Sequence, residues 1–202
     1  TSDKKLLLIM PASRKQELKY ILPTLLQAAK LLQEKDPSIT VFIPSGLKEF
    51  DQILNHSLKD YALTGRVIPS NEVDKIKPFL FAAADLALSK SGTINMELAL
   101  NSVPQIVGYK VSRLTAFFAR YLLRFNVKYI SPVNLLLNQM LIPEFIQEDF
   151  KAEKIFHSAL TILEDISTRQ DMINGYQRLK DKLGKPGVTD RASEDILDLV
   201  VQ

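Results

Sequence analysis

The sequence of 202 residues predicts an α/β fold in which a doubly wound parallel sheet is followed by a helical C-terminal tail. Short, continuous apolar runs such as 6–10 and 39–43 are typical of strands buried on both faces. Longer segments with apolar residues at helical spacing lie between these runs, as in 18–32. Because strands that alternate with helices form right-handed βαβ units, this order predicts a parallel sheet with helices on both faces.

Each element follows from its local pattern. The predicted strands are 6–10, 39–43, 67–68, the apolar run 82–88, and 103–109. The predicted helices are 18–32, 47–54, 73–80, 93–100, 114–123, 155–166, 168–183 and 190–201. We interpret 131–143 as a loop and expect five or six strands. Residues 1–150 are expected to form one nucleotide-sugar-binding domain on which a helical tail, 151–202, packs.

Composition excludes several classes of protein. The net charge of +3 and pI of about 9.0 are too mild for a nucleic-acid-binding protein, which usually carries a dense basic stripe. The absence of cysteine excludes disulfides, thiolate metal sites and a cysteine nucleophile. His56 and His157 lie far apart, so we expect no metal site and no cofactor. No apolar run reaches the roughly 20 residues that span a bilayer, which predicts a cytoplasmic protein.

The stretch Ser91-Gly92-Thr93 stands between an apolar strand and a helix. Gly92 is one of seven glycines, whereas average usage predicts roughly fourteen. A scarce glycine at such a turn indicates either a sharp bend or a backbone that approaches a ligand. The free N–H groups at the start of the helix favour a phosphate, and Glu97 lies about one turn in, within reach of sugar hydroxyls. A plain N-cap is the alternative.

Two turns are predicted to meet at one edge of the sheet. The turn 11–14 follows the first strand and 89–93 follows the fourth. Ligands of open parallel sheets bind at the carboxyl ends of the strands. The sequence therefore predicts a site for a phosphate-bearing ligand where these turns converge.

Several motifs carry a family resemblance. Ser91-Gly92-Thr93-x-x-x-Glu97, with Val103-Pro104-x-x-Val107-x-Tyr109-Lys110 behind it, resembles the nucleotide-sugar half of GT-B glycosyltransferases, and more narrowly the lipid A disaccharide synthase family. The family's order is kept by Pro11-x-Ser13-Arg14-x-x-Glu17, the helix 114–123, and Ser131-x-x-Asn134-Leu135-Leu136 followed by Leu141-x-Pro143-Glu144. The resemblance covers most of residues 5–150.

The resemblance implies a Rossmann-like GT-B C-terminal domain that binds a UDP-sugar. In the family, diacylated glucosamine passes from UDP to the 6-hydroxyl of an acylated glucosamine 1-phosphate with inversion. Its catalytic base comes from the N-terminal half, so we expect this chain to be an isolated domain or fragment that is inactive alone. Another UDP-sugar GT-B enzyme and a non-catalytic nucleotide-binding or scaffold domain stay open as alternatives.

The resemblance also implies roles for individual residues. Ser91, Gly92 and Thr93 would cradle the diphosphate, and Glu97 would bind the ribose hydroxyls. Arg14 would reach a phosphate or steady the departing UDP, a candidate catalytic role. The nucleotide-binding set implied by the resemblance is Ser13, Arg14, Ser91, Gly92, Thr93, Glu97, Tyr109, Lys110 and Asn134, with Asn134 reading the base or a phosphate. Solvent-exposed charges are the alternative for Arg14 and Glu97.

Two positions depart from the family pattern. Ala12 stands where the family usually has glycine, and alanine resists positive φ. The triplet Asn138-Gln139-Met140 replaces a usual Gly-Arg-Glu. A neutral hydrogen bond is about half as strong as a charge-assisted one, so the lost arginine is expected to weaken the hold on the diphosphate.

Two surfaces suggest further contacts. Residues 113–125 combine aromatic side chains with arginines, which fits a helix lying on an anionic membrane surface; a core-packing helix is the alternative. The family resemblance implies a glycolipid acceptor, which favours the membrane surface. In the tail, apolar faces around Ile166, Ile196 and Val200 are expected to be exposed and to favour self-association.

Overall fold

The computed structural model describes residues 4–11, 14–112, 128–184 and 187–201. Six strands form one sheet: β1 (Lys5–Met10), β2 (Ile39–Pro44), β3 (Gly65–Ile68), β4 (Leu86–Lys90), β5 (Gln105–Tyr109) and β6 (Glu144–Ile146). The helices are α1 (Lys15–Lys35), α2 (Lys48–Asp60), α3 (Ser70–Ala83), α4 (Ile94–Leu100), α5 (Pro132–Leu137), α6 (Ala152–Glu164), α7 (Ile166–Leu183) and α8 (Val188–Val201).

All neighbouring strands pair in parallel, in the order β3-β2-β1-β4-β5-β6. The chain builds outward from β1 to β3, then returns to the other side of β1 and builds outward again to β6. The connections that leave β1 and β4 therefore diverge to opposite sides, which opens a crevice at the carboxyl ends of these two strands. The predicted doubly wound sheet is confirmed.

Both faces of the sheet are covered, which explains the continuous apolar runs of its strands. Leu7 and Ile9 belong to the larger core cluster, which includes the buried stripe of α1 and apolar residues of α6 and α7. Leu8, which points the other way, belongs to a second cluster with residues of α3 and α4. A strand buried on both sides has no polar alternation to show, as expected for a parallel sheet.

The predicted loop 131–143 is wrong, because it contains helix α5. The Ser131 hydroxyl caps this helix by accepting a hydrogen bond from the Asn134 N–H at 3.2 Å, and Pro132 occupies the first helical turn. Both are ordinary helix-start signals, but six residues offer too little periodicity to reveal a helix. The helix ends at Asn138, whose φ of 51° is left-handed.

The predicted strand 82–88 is also displaced. Residues 82–83 complete α3, and β4 continues beyond the apolar run to Lys90. An apolar run does not distinguish the end of a buried helix from a buried strand. The shift matters because it places the Lys90 side chain at the end of a rigid strand.

The helical C-terminal tail is confirmed. Helices α6 and α7 bury apolar side chains in the larger core, and left-handed Gly184 and Gly187 lie between α7 and α8. Within the described ranges, none of the helices combines the length and apolar character that crossing a bilayer requires. The segment 113–125 lies outside the described residues.

Candidate functional site

A cavity of about 460 Å³ lies at the carboxyl ends of β1, β4 and β5. Its lining comes from the start of α1, the end of β4, the end of β5 and the segment leading into α5. The lining residues are Arg14, Glu17, Lys90, Ser91, Tyr109, Tyr129, Ile130 and Leu135. The cavity therefore stands at the crevice where the strand order reverses, the usual place for a ligand in this architecture.

Among the described residues, three charged side chains line this cavity. Lys90 Nζ lies 2.6 Å from Glu17 Oε2, and each of these side chains is only 16% exposed. Arg14 precedes the first turn of α1, is exposed, and forms no ion pair within the described ranges. The described lining thus combines one free guanidinium with a neutral ion pair, and its net positive charge suits an anion.

The turn after β4 already uses part of its hydrogen-bonding capacity. The Ser91 hydroxyl donates to the Ile130 carbonyl at 2.6 Å, and the Gly92 N–H donates to Asn95 Oδ1 at 2.8 Å. Thr93 precedes α4 with an exposed side chain that caps nothing. In the part of the chain that is described, the N–H groups of Thr93 and Ile94 find no partner. These two N–H groups, rather than the Ser91 hydroxyl, are available to an anion.

Gly92 does not adopt a conformation that requires glycine. Its φ is not in the left-handed region, and a Cβ built on it would meet, among the described residues, only Lys90 Cε at 3.6 Å, an ordinary contact. The chain does bend at this turn, but the bend does not require a glycine. Of the two reasons for a glycine here, room for a ligand is the one that stays.

A buried polar network holds this turn from below. Asn95, which is fully buried, donates from Nδ2 to Ser89 Oγ at 2.9 Å, to Gln105 Oε1 at 3.1 Å and to the Lys90 carbonyl at 3.2 Å. Gln105 Nε2 returns a bond to the Asn95 carbonyl at 3.0 Å. The sequence analysis missed this network. Two amides inside otherwise apolar segments were the available signal, since buried polar groups need partners.

Glu97 does not line the cavity. Its Oε2 accepts a hydrogen bond from Lys77 Nζ of α3 at 2.8 Å, and the two side chains are partly exposed. Glu97 is therefore neither a carboxylate surrounded only by water nor a residue of the cavity wall. Lys77 instead fixes the Glu97 carboxylate at the side of α4.

Asn134 is corrected to a structural role. The side chain is fully buried, and its Oδ1 accepts from the N–H groups of Leu141 and Ile142 at 2.9 and 3.0 Å. Its Nδ2 donates to the Ile142 carbonyl at 2.8 Å and to Glu144 Oε1 at 2.7 Å. An amide offers two donors and two acceptor positions, so Asn134 has nothing left for a base or a phosphate. It holds the chain between α5 and β6.

The other predicted site residues divide into three groups. Tyr109 lines the cavity, whereas the adjacent Lys110 does not. Ser13 lies outside the described residues, as does Ala12. The triplet 138–140 is not part of the cavity wall; Met140 instead borders a second cavity of about 360 Å³ between α6 and α7.

The parallel six-stranded sheet and its cavity define a Rossmann-like domain resembling those of GT-B glycosyltransferases. The C-terminal CMP-Kdo binding domain of WaaA from Acinetobacter baumannii superposes with a TM-score of 0.60, 11% identity and 91% coverage of each chain. A Staphylococcus aureus MnaA–UDP co-structure gives a TM-score of 0.62 with 15% identity, covering 99% of this chain and 48% of that one. At such identities the likeness concerns the fold alone.

The chain belongs to the lipid-A-disaccharide synthetase family, whose model matches residues 1–194. The lipid-A-disaccharide synthase of Prochlorococcus marinus (strain MIT 9313) is 55% identical over 195 residues, covering 96% of this chain and 50% of that protein. The synthase of Gloeothece citriformis (strain PCC 7424) is 41% identical over 198 residues, covering 98% and 50%. The chain spans about half the length of these relatives.

Proposed function

We propose that this chain is the donor-nucleotide half, the C-terminal one, of a lipid A disaccharide synthase-like glycosyltransferase. The whole enzyme would transfer diacylglucosamine from UDP to an acylated glucosamine 1-phosphate with inversion. The observation that carries this proposal is a net positive cavity at the strand-order reversal in a member of this family. Residues 1–150 would form the nucleotide-sugar-binding unit and 151–202 the tail that packs on it.

The diphosphate would lie between the first turns of α1 and α4. The free N–H groups of Thr93 and Ile94 would donate to it, and the bare Cα of Gly92 would let a phosphate oxygen approach. Arg14 would pair with the same anion. Because negative charge grows on UDP as the sugar bond breaks, the guanidinium would stabilise the transition state more than the ground state.

The nucleoside would extend away from this anion site. Tyr109, at the end of β5, offers an aromatic wall for the base. Glu97 lies outside the cavity wall, so the ribose would extend beyond that wall along α4 to reach Glu97 Oε1, while Lys77 holds Oε2. Ser13 and Lys110 stay in the proposed nucleotide-binding set on the strength of the family motif.

The remaining partners follow from the family. The glycolipid acceptor and the catalytic base would belong to the other half of the enzyme, and 113–125 would contact a membrane surface on its cytoplasmic side. The C-terminal helices would support self-association, since Ile166 is 84% exposed and Ile196 is 61% exposed.

Calorimetric titration of the 202-residue chain with UDP, UMP and uridine tests the proposal. We expect UDP to bind more tightly than UMP, and UMP more tightly than uridine, because each phosphate adds charge-assisted hydrogen bonds. UDP at about one hundred times its Kd should stabilise the fold by about 2.7 kcal/mol. If millimolar UDP produces neither heat nor a rise in melting temperature, the proposed nucleotide site is wrong.

A further inference from the structure

The side chains of the Lys90–Glu17 ion pair are less exposed to water than those of the other ion pairs in the described ranges. Every other ion pair recorded in the described ranges has both side chains at least 28% exposed, against 16% for these two. Removing two charges from water costs free energy that their mutual attraction only partly returns. Because such a pair adds little to stability, its place in the wall of a ligand cavity points to a further use.

The position of Lys90 makes it a bridge across the crevice. Lys90 is the last residue of β4, and Glu17 lies in the first turn of α1, 73 positions earlier in the chain. The stem of Lys90 runs back past Gly92, with Cε 3.6 Å from where a Cβ of residue 92 would be. The ammonium group therefore lies between the two turns that the proposed diphosphate would contact.

The ammonium group has donors to spare. A lysine side chain carries three N–H donors, and among the described residues the only recorded partner of Lys90 Nζ is Glu17. Two hydrogens are left for an acceptor in the cavity. Glu17 restricts the long side chain to one region, which reduces the rotamer entropy lost when an anion binds.

The charge in the cavity also depends on Lys90. In the described lining, Arg14 and Lys90 together outweigh Glu17 by one positive charge, whereas without Lys90 the charges of Arg14 and Glu17 cancel. We propose that Lys90 binds the diphosphate of the nucleotide directly, and that Glu17 is a positioning residue for its ammonium group. This inference rests on the proposed function and names the cation that the site uses in addition to Arg14.

A double-mutant cycle separates direct binding from simple neutralisation of Glu17. The variants are Lys90→Met, Glu17→Gln and the two combined, each titrated with UDP by calorimetry and with uridine by amide chemical-shift changes. We expect Lys90→Met to weaken UDP binding by about 10- to 100-fold, the effect of losing a hydrogen bond to a charged group, and to leave uridine binding unchanged. Glu17→Gln alone should weaken UDP binding by up to about fivefold, because Lys90 keeps its charge but loses the carboxylate that positions its ammonium group.

The variant that carries both Lys90→Met and Glu17→Gln distinguishes direct binding of the diphosphate from neutralisation of Glu17. If Lys90 contacts the diphosphate, the double variant binds UDP as weakly as Lys90→Met does, within about threefold. If Lys90 only neutralises Glu17, removing both charges restores the affinity of the unmodified chain, and the proposal is overturned. The double variant contains no unpaired buried charge, so it stays folded and informative even where Lys90→Met does not.

A matched control comes from the amino ends of the strands, opposite the end that bears the cavity. Lys5 Nζ and Asp36 Oδ2 form an ion pair of the same 2.6 Å length near the start of β1, remote from the cavity. Lys5→Met should leave UDP affinity unchanged, and an equal loss there would overturn a local role for Lys90. Absence of UDP binding by the unmodified chain would refute the proposed function, whereas unchanged binding by Lys90→Met would refute only this inference.

Discussion

Replacing Gly92 with alanine separates a ligand site from an ordinary turn. The new methyl group would lie 3.6 Å from Lys90 Cε, with no closer contact in the described part of the chain. The Gly92 N–H keeps its bond to Asn95 Oδ1, and the backbone already has a φ open to alanine. The folded state therefore accommodates alanine at position 92 without a clash or backbone strain.

Gly92→Ala is expected to stabilise the fold and, if the site binds a phosphate, to weaken UDP binding. Alanine restricts the unfolded chain, so Gly92→Ala should raise the free energy of unfolding by about 0.4–1 kcal/mol. For a chain of this length that corresponds to a melting temperature about 1–4 °C higher. If a phosphate occupies the space beside Gly92, the methyl group displaces it, and UDP affinity should fall at least about tenfold, or about 1.4 kcal/mol.

Calorimetry with UDP and thermal unfolding followed by circular dichroism measure both effects on the same preparation. Raised stability together with lost UDP affinity supports a phosphate at this turn. Raised stability with unchanged affinity would show that the glycine faces no ligand. A lowered melting temperature would refute the structural reasoning itself, since it would mean that the turn does require glycine.

Three further predictions concern other parts of the chain. Asn134→Ala should lower the free energy of unfolding by about 3 kcal/mol in urea titrations, because it leaves the buried N–H group of Ile142 without a partner; a change below about 1 kcal/mol would contradict the structural role. Glu97→Ala should weaken UDP binding by about 1.5–3 kcal/mol with little effect on folding, whereas equal binding would remove Glu97 from the site. Asp36→Asn should destabilise the chain by about 1 kcal/mol at pH 7, a value suited to a partly exposed pair. Hydrogen bonds from Lys5 and Ser38 lower the pKa of Asp36 from 3.8 to about 2. Ionised Asp36 therefore contributes its full stabilisation above pH 3.8, and this stabilisation is lost as the pH falls through about 2. The difference in the free energy of unfolding between the unmodified chain and Asp36→Asn should accordingly narrow below pH 3.8. A difference that stays constant from pH 7 to 3 would contradict this assignment.

Local sequence patterns determined most of the architecture. Apolar runs such as 6–10 and 39–43 are visible because a strand covered on both faces needs no polar positions, and helical stripes are visible because one face of each helix is buried. Parallel βαβ order then places the carboxyl ends of the strands together, so the meeting of Arg14 with Ser91 could be predicted. Where the periodic segment was short, as in α5 and β6, the pattern carried too little information.

The chemistry inside the site was decided only by tertiary structure. Sequence spacing does not indicate that Lys90 pairs with Glu17, or that Glu97 pairs with Lys77 rather than facing the cavity. Nor does it indicate that the Asn134 amide binds the backbone of Leu141 and Ile142 and the carboxylate of Glu144. A side chain's partner depends on which elements pack beside it and at what distance. Those distances arise from burying the core as a whole, so no single segment of the sequence contains them.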